Sequence, residues 1–150
     1  MSLLNRNGRP IEILLVEDRT EDAEATMEVL RDGRVRNRVN WVADGEEALV
    51  FLRREGRHAA APTPDLILLD LNMPRMNGLE VLDAIKNHPV WKRIPVVMMT
   101  SSEKEQDIVS AYDRHANCYI TKPIDFDKFI EAVRSIEDFW LSLVRLPAAA

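Results

Sequence analysis

Short apolar runs alternate with longer amphipathic stretches along this chain. The runs predict five strands, because they are short and rich in branched aliphatic residues. Their bounds are Ile11 to Val16, Arg38 to Ala43, Leu66 to Leu69, Pro95 to Met99 and Cys118 to Thr121. The stretches of helical period predict helices near residues 21–32, 45–55, 78–88 and 103–115, and a last one from about 125. Strands and helices that alternate in this way indicate an α/β fold with a parallel sheet.

Composition within the runs predicts where each strand lies in the sheet. The third and fourth runs are apolar at nearly every position, which is typical of strands buried on both faces. The second run is diluted by Arg38 and Asn40, so we expect it at an edge. Asp44, Asn77 and Asp125 each precede a helical stretch and are residue types that begin helices.

Length and charge exclude several classes of protein. The 150 residues suffice for one domain, and 20 basic against 25 acidic side chains give a net charge of −5, which opposes binding to nucleic acid or anionic lipid. No apolar run has the roughly 18 residues of a membrane span, and the N-terminus lacks a secretory signal. The single cysteine, Cys118, cannot form an internal disulfide. We therefore expect a cytoplasmic protein with no membrane or nucleic-acid partner.

Three carboxylates follow two of the predicted buried strands. Glu17 and Asp18 come directly after the first, and Asp70 comes directly after the third. In a sheet of order 2-1-3-4-5 these two strands are neighbours, and ligands bind at their carboxyl ends. Carboxylates packed this closely repel one another, so the cluster calls for a hard cation such as Mg²⁺ or Mn²⁺. Each acid could alternatively cap the following helix, but three together favour a metal site.

Two further strand ends supply groups of complementary chemistry. Thr100 closes the fourth strand with a hydroxyl, and Lys122 follows the fifth with an ammonium. A cation, a lysine and a hydroxyl donor around one pocket suit a phosphoryl group, whose oxygens need such partners. Asp70 can then be the nucleophile that forms an acyl phosphate.

These residues belong to motifs that resemble the receiver domains of bacterial two-component response regulators. The matching segments are Leu14 to Asp18, Asp70 to Pro74 followed by Asn77-Gly78, Thr100 after its strand, and Tyr119 to Pro123. They occur in the family's order and spacing over about residues 11 to 140. The resemblance implies a flavodoxin-like doubly wound sheet of five parallel strands, order 2-1-3-4-5, with five helices.

The resemblance also implies a role for each matching residue. Asp70 would be the phosphoacceptor for a sensor histidine kinase, and Asp18 and Asp70 would ligate the metal together with the backbone carbonyl of Asn72. Glu17 stands where an aspartate is commoner and would act through water. Lys122 would pair with the phosphate, and the Lys122–Pro123 bond would be cis. Thr100 would hydrogen-bond to the phosphoryl group, and Tyr119 would be the aromatic switch partner of Thr100, with simple core packing as its alternative.

Three interpretations of the function compete. A signalling receiver needs all of Asp18, Asp70, Thr100 and Lys122, and a pseudo-receiver would have lost at least one of them; none is missing. An aspartyl-phosphate phosphatase would need a second aspartate at position 72, where this chain has Asn72. We therefore predict a receiver rather than an enzyme, with Mg²⁺-dependent autophosphorylation and autodephosphorylation as its only chemistry.

The ends of the chain add two expectations. We assign residues 1–10 to an N-terminal tail, 11–138 to the receiver and 139–150 to an apolar helix extension and tail, which leaves no room for an output domain. Long connections at residues 54–64 and 87–95 resemble the single-domain receivers of phytochrome-type kinases; the alternative roles are a phosphorelay intermediate or a phosphate sink. The run from Phe139 to Leu146 is apolar on nearly every side and predicts a homodimer; the alternatives are contact with a kinase or downstream protein and folding back onto the domain. Its contact residues would be Phe139, Trp140, Leu143 and Val144.

Overall fold

The computed structural model describes residues 4–5, 8–33, 36–101, 104, 118–135 and 144–145. In chain order its strands are β1 (Leu4–Asn5), β2 (Ile11–Val16), β3 (Asn37–Val42), β4 (Leu66–Asp70), β5 (Val96–Thr100), β6 (Cys118–Thr121) and β7 (Val144–Arg145). Five of them form one parallel sheet in the order β3-β2-β4-β5-β6. Counted along the chain, this is the predicted order 2-1-3-4-5.

Burial along the strands follows the predicted pattern. Every residue of β4 and β5 is buried, as expected for strands covered on both faces. Strand β3 lies at one edge, and only its last residue, Val42, is buried. Several observed bounds differ by one residue from the predicted ones: β3 begins and ends one residue earlier, β5 begins one residue later, and Asp70 and Thr100 are the last residues of β4 and β5.

Four α-helices lie within the described residues: α1 (Thr20–Asp32), α2 (Gly45–Arg53), α3 (Gly78–Lys86) and α4 (Phe126–Ser135). Asp44 caps α2 by accepting from the amide of Glu47, and Asn77 forms a capping box with Glu80 on α3. Short 3₁₀ turns span Gly56–His58 and Trp91–Arg93. The helix predicted near 103–115 lies outside the described residues except for Lys104, which is helical.

The helices cover both faces of the sheet. On one face Leu30 of α1 and Phe129 of α4 pack with β-strand residues such as Leu15 and Leu68. On the other face Leu49 of α2 and Leu82 of α3 pack in a second cluster. The two clusters, one on each face of the sheet, hold the strands in place, and the carboxyl ends of the parallel strands lie along one edge. Within the described residues no helix is both long and apolar enough to span a membrane.

The two ends of the chain differ from expectation. Strands β1 and β7 pair antiparallel, with Leu4 opposite Arg145 and Asn5 opposite Val144. The expected tail at residues 1–10 thus includes a short strand. The helix extension expected within residues 139–150 is wrong at Val144–Arg145, because these two residues are extended and form β7. A short run that is apolar on every side does not distinguish helix from strand, so its composition left the choice open.

Candidate functional site

Three carboxylates meet at the carboxyl ends of β2 and β4. Glu17, Asp18 and Asp70 each offer an oxygen, and these oxygens lie within 4.8 Å of one another. Glu17 and Asp70 are 0% and 2% exposed, whereas Asp18 is partly exposed at the rim. The parallel register that pairs Val16 with Leu69 brings the ends of these two strands together. The structure thus joins the acids that the sequence predicted as a cluster.

Lys122 enters this cluster from the loop after β6. Its Nζ donates to Glu17 Oε1 at 2.5 Å and lies 3.2 Å from Asp70 Oδ1. The peptide bond between Lys122 and Pro123 is cis, as the resemblance implied. With 14% of its side chain exposed, Lys122 places one positive charge against a largely buried acidic pair. It thereby offsets part, but not all, of the repulsion in the pocket.

Burial and charge shift the ionisation of all three groups. Desolvation, only partly offset by Lys122, raises the pKa of Glu17 to about 7, and the nearby Asp70 carboxylate adds to the rise. Desolvation likewise raises the pKa of Asp70, against the lowering effects of Lys122 and of the Asn72 amide, which donates to it. Burial lowers the pKa of Lys122, but Glu17 and the other carboxylates outweigh burial and raise it. The ammonium therefore stays charged.

Thr100 and Tyr119 lie beside this pocket on one face of the sheet. Thr100 is fully buried, and its Oγ1 has no hydrogen-bond partner within the part of the chain that is described. Strand pairing sets Met98 opposite Tyr119 and Thr100 opposite Thr121, so Thr100 and Tyr119 are diagonal neighbours. Tyr119 is 40% exposed, which rules out simple core packing as its position. Thr100 follows Met99, the residue paired with Asp70, so a hydroxyl that lacks a partner among the described residues is available to a new acceptor at this end of the sheet.

The backbone around the acids is held by two close contacts. Gly78 donates its amide to the carbonyl of Leu71 at 2.9 Å, and a Cβ on Gly78 would lie 2.4 Å from the Asp70 carbonyl oxygen. On the other side, Trp41 Nε1 donates to the carbonyl of Glu17 at 2.7 Å. Both contacts fix the strand ends from which the carboxylates project.

The acidic cluster fits a divalent cation. Among the described residues, Asp18 Oδ1 and Asp70 Oδ1 are buried oxygens without a hydrogen-bond partner. Buried carboxylate oxygens left in this state are costly unless a cation or proton satisfies them. Oxygen donors of this kind are those that Mg²⁺ and Mn²⁺ prefer. Asn72 is exposed in the loop after Asp70, where its carbonyl remains a candidate further ligand.

Two contributors to the site escaped the sequence analysis. Asp22, on the first turns of α1, accepts a hydrogen bond from Lys122 Nζ at 3.0 Å. Trp41, at the end of the edge strand β3, holds the Glu17 backbone as described above. Of the predicted dimer contacts, Phe139, Trp140 and Leu143 lie outside the described residues, and Val144 belongs to β7.

Known proteins are similar to this chain in both sequence and fold. The family model of the response regulator receiver domain matches residues 13–134. The response regulator Rcp1 of Synechocystis sp. is 44% identical over 145 residues, which cover 97% of this chain and 99% of Rcp1. The solved structure of a Mn²⁺-bound form of Rcp1 superposes with a TM-score of 0.70 over 93% of this chain and 100% of that one.

Two further solved structures are similar. The bacteriophytochrome response regulator AtBRR has a TM-score of 0.83 and 38% identity, covering 94% of this chain and 99% of its own. The phosphorylated cyanobacterial phytochrome response regulator RcpA has a TM-score of 0.71 and 48% identity, covering 89% and 95%. Since the family match extends over most of the sheet and includes every strand end that lines the acidic pocket, the chain belongs to the response regulator receiver domain family.

Proposed function

We propose that this protein is a single-domain response regulator that accepts a phosphoryl group on Asp70 from the phosphohistidine of a sensor histidine kinase. The observation that carries the proposal is the position of Asp70, which is 2% exposed and lies 3.2 Å from the ammonium of Lys122. A buried carboxylate beside a lysine, together with a threonine hydroxyl that has no partner among the described residues, is suited to form an acyl phosphate rather than to stay in a structural ion pair.

Each residue of the pocket has a distinct task in this proposal. The Asp70 carboxylate attacks phosphorus, and the imidazole of the kinase histidine leaves. Lys122 supplies positive charge to the phosphoryl oxygens, and Thr100 donates its hydroxyl to one of them. Glu17, Asp18 and Asp70, with the Asn72 carbonyl, would hold Mg²⁺ or Mn²⁺. That cation, when bound, neutralises charge on the carboxylates and on the incoming phosphoryl group.

The same arrangement supports a route for the signal. A phosphoryl group on Asp70 gives the buried Thr100 hydroxyl an acceptor that it lacks among the described residues. Movement of Thr100 opens space beside Tyr119, its diagonal neighbour on β6. We therefore assign Thr100 and Tyr119 as the switch pair, with the exposed ring of Tyr119 turning inward after phosphorylation.

The kinase that we propose is of the phytochrome type, and the cytoplasm is the compartment where the two proteins meet. Support comes from the relatives: AtBRR and RcpA are named as bacteriophytochrome and phytochrome response regulators. The relatives span this chain almost end to end. A phosphorelay intermediate or a phosphate sink remains the alternative, and transfer of the phosphoryl group onward to a second histidine would favour it. We propose no catalysis beyond autophosphorylation and autodephosphorylation.

We further propose a homodimer through the apolar run 139–146. The run places Phe139, Trp140, Leu143 and Val144 within six residues, in a chain whose sheet is already covered by helices on both faces. Apolar side chains of this size contribute about 1.5 to 3 kcal/mol each when buried, enough for a few of them to support association. A two-fold pair is the simplest closed arrangement.

The central test is phosphoryl uptake by an Asp70→Asn variant. Wild-type protein with Mg²⁺ and acetyl phosphate, or with a phosphorylated phytochrome kinase as donor, should gain one phosphoryl mass, whereas Asp70→Asn should gain none because an amide is a poor nucleophile and metal ligand. Intact-protein mass spectrometry measures both. Asp127→Asn is the matched control, since Asp127 is exposed on α4. A full adduct on Asp70→Asn would contradict the assignment.

A further inference from the structure

The ammonium of Lys122 forms ion pairs with three carboxylates. Lys122 Nζ lies 2.5 Å from Glu17 Oε1, 3.0 Å from Asp22 Oδ2 and 3.2 Å from Asp70 Oδ1. Asp22 differs from the other two because it lies on α1 rather than at a strand end, and 35% of its side chain is exposed. It is therefore outside the metal cluster, yet it is closer to the lysine than the proposed phosphoacceptor is.

The hydrogen bonds of Lys122 are divided unequally. Glu17 and Asp22 accept hydrogen bonds from Nζ, whereas Asp70 Oδ1 has an ion-pair distance but no hydrogen-bond partner within the described residues. A lysine ammonium has three donors on one compact charge, so its direction decides which acceptors it serves best. In this structure Nζ donates to Glu17 after β2 and to Asp22 on α1, while its 3.2 Å approach to Asp70 Oδ1 is an ion pair without a hydrogen bond.

We propose that Asp22 is a positioning residue that restrains Lys122 on the α1 side of the pocket and so opposes the pairing of Lys122 with the phosphorylated Asp70. This inference rests on the proposed function of Asp70. The phosphoryl group must draw the ammonium away from Asp22, and the Asp22 carboxylate adds negative charge beside the incoming anion. Both effects favour the unphosphorylated arrangement, so Asp22 sets the level of donor needed to switch the protein.

The test compares Asp22→Ala with Glu21→Ala. Both variants remove one negative charge from the first turn of α1, but Glu21 is exposed and forms no ion pair with any described residue. Beryllium fluoride at saturating Mg²⁺ serves as a non-covalent mimic of the phosphoryl group, and ¹⁹F NMR reports its binding to Asp70. Removing a unit charge a few ångströms from the mimic should lower the midpoint of titration about three- to tenfold in Asp22→Ala and leave Glu21→Ala within about twofold of wild type.

A double-mutant cycle isolates the route through Lys122. If Asp22 acts by holding the ammonium, then Asp22→Ala should change the midpoint far less in a Lys122→Ala background than in wild type.

A second measurement, of ammonium proton exchange, needs neither metal nor mimic. In metal-free protein labelled with ¹⁵N lysine, the Lys122 ammonium protons should exchange with water several-fold faster in Asp22→Ala than in Glu21→Ala, because one of their acceptors is gone.

The outcomes separate this inference from the proposed function. If wild type takes up a phosphoryl group on Asp70 but Asp22→Ala matches Glu21→Ala, or binds the mimic more weakly than wild type, the restraint by Asp22 is refuted and the receiver assignment stands. An undiminished effect of Asp22→Ala in the Lys122→Ala background also refutes it. Failure of wild type to be modified at Asp70 refutes the proposed function itself.

Discussion

Two buried lysines show how neighbours decide the properties of a single residue. Lys122 faces carboxylates, which keep it charged despite burial. Lys86, at the end of α3, instead donates to the carbonyl oxygens of Lys92 at 3.2 Å and Ile94 at 2.8 Å. Carbonyl oxygens offset the loss of hydration less well than carboxylates do, and desolvation lowers the pKa of Lys86 to about 8. Lys122 thus forms ion pairs within the acidic pocket, whereas Lys86 links the end of α3 to the loop that leads into β5.

The shifted lysine predicts a dependence of stability on pH. Below pH 8 both the folded and unfolded states hold the Lys86 proton, so the cost of burying the charge is fully present. Between about pH 8 and 10.5, the ordinary pKa of a lysine, the unfolded state binds more protons, so the free energy of unfolding contributed by Lys86 rises with pH. The neutral amine keeps two N–H donors for the two carbonyls.

Urea unfolding at pH 7 and pH 10 measures this effect. The difference in unfolding free energy between wild type and Lys86→Met should shift in favour of wild type at the higher pH. Lys92→Met is the control, because Lys92 lies on the same loop but is exposed. An equal shift for both variants would count against the burial of Lys86.

At the scale of elements, the start of α3 fixes the end of β4. Gly78 is the first residue of α3, and the amide of Gly78 bonds to the Leu71 carbonyl at 2.9 Å. A Cβ at this position would lie 2.4 Å from the Asp70 carbonyl oxygen and 2.8 Å from Leu71 Cα. Both atoms belong to the backbone, so no side-chain rotation relieves the overlap.

Gly78→Ala should therefore displace the end of β4 that carries Asp70, the proposed phosphoacceptor. We expect a loss of about 1 to 3 kcal/mol in unfolding free energy from overpacking, together with slower phosphoryl uptake from acetyl phosphate. Gly56→Ala is the matched control: its φ is +55° and a Cβ there meets nothing within 4 Å, so it carries backbone strain of about 1 kcal/mol without steric overlap. Normal uptake by Gly78→Ala would show that the close approach is dispensable.

The position of a residue within its strand or helix also explains which site residues could be predicted from the sequence and which could not. Strand ends carry a direct signal, because a polar residue after an apolar run is visible in the sequence; Glu17, Asp70, Thr100 and Lys122 were predicted for this reason. Asp22 was missed because many exposed acids occur on helices, and only the packing of α1 against the β6 loop brings this one to Lys122. Trp41 was missed because its partner is a backbone carbonyl, which leaves no mark on the sequence.

For the whole molecule, the proposed interface at the apolar run 139–146 predicts a state of association that truncation can test. Protein cut after Glu137 should be a monomer that still accepts a phosphoryl group, because Glu17, Asp18, Asp70, Thr100 and Lys122 all precede the cut. Protein that lacks only residues 147–150 keeps the run and should remain a dimer. Sedimentation velocity at tens of micromolar distinguishes the two. A monomeric full-length protein, or a dimer after the longer truncation, would contradict the proposed interface.

The hydrogen bond from Trp41 to the Glu17 carbonyl makes this indole an optical reporter of the pocket. Its emission is sensitive to the field of nearby charges, and the backbone that it touches carries one of the three clustered acids. The chain has two other tryptophans, Trp91, which stacks on His88 in the loop after α3, and Trp140; Phe at both positions leaves Trp41 as the only indole emitter. Ligands that enter the acidic pocket can therefore be followed in real time by intrinsic fluorescence, without a label attached to the protein.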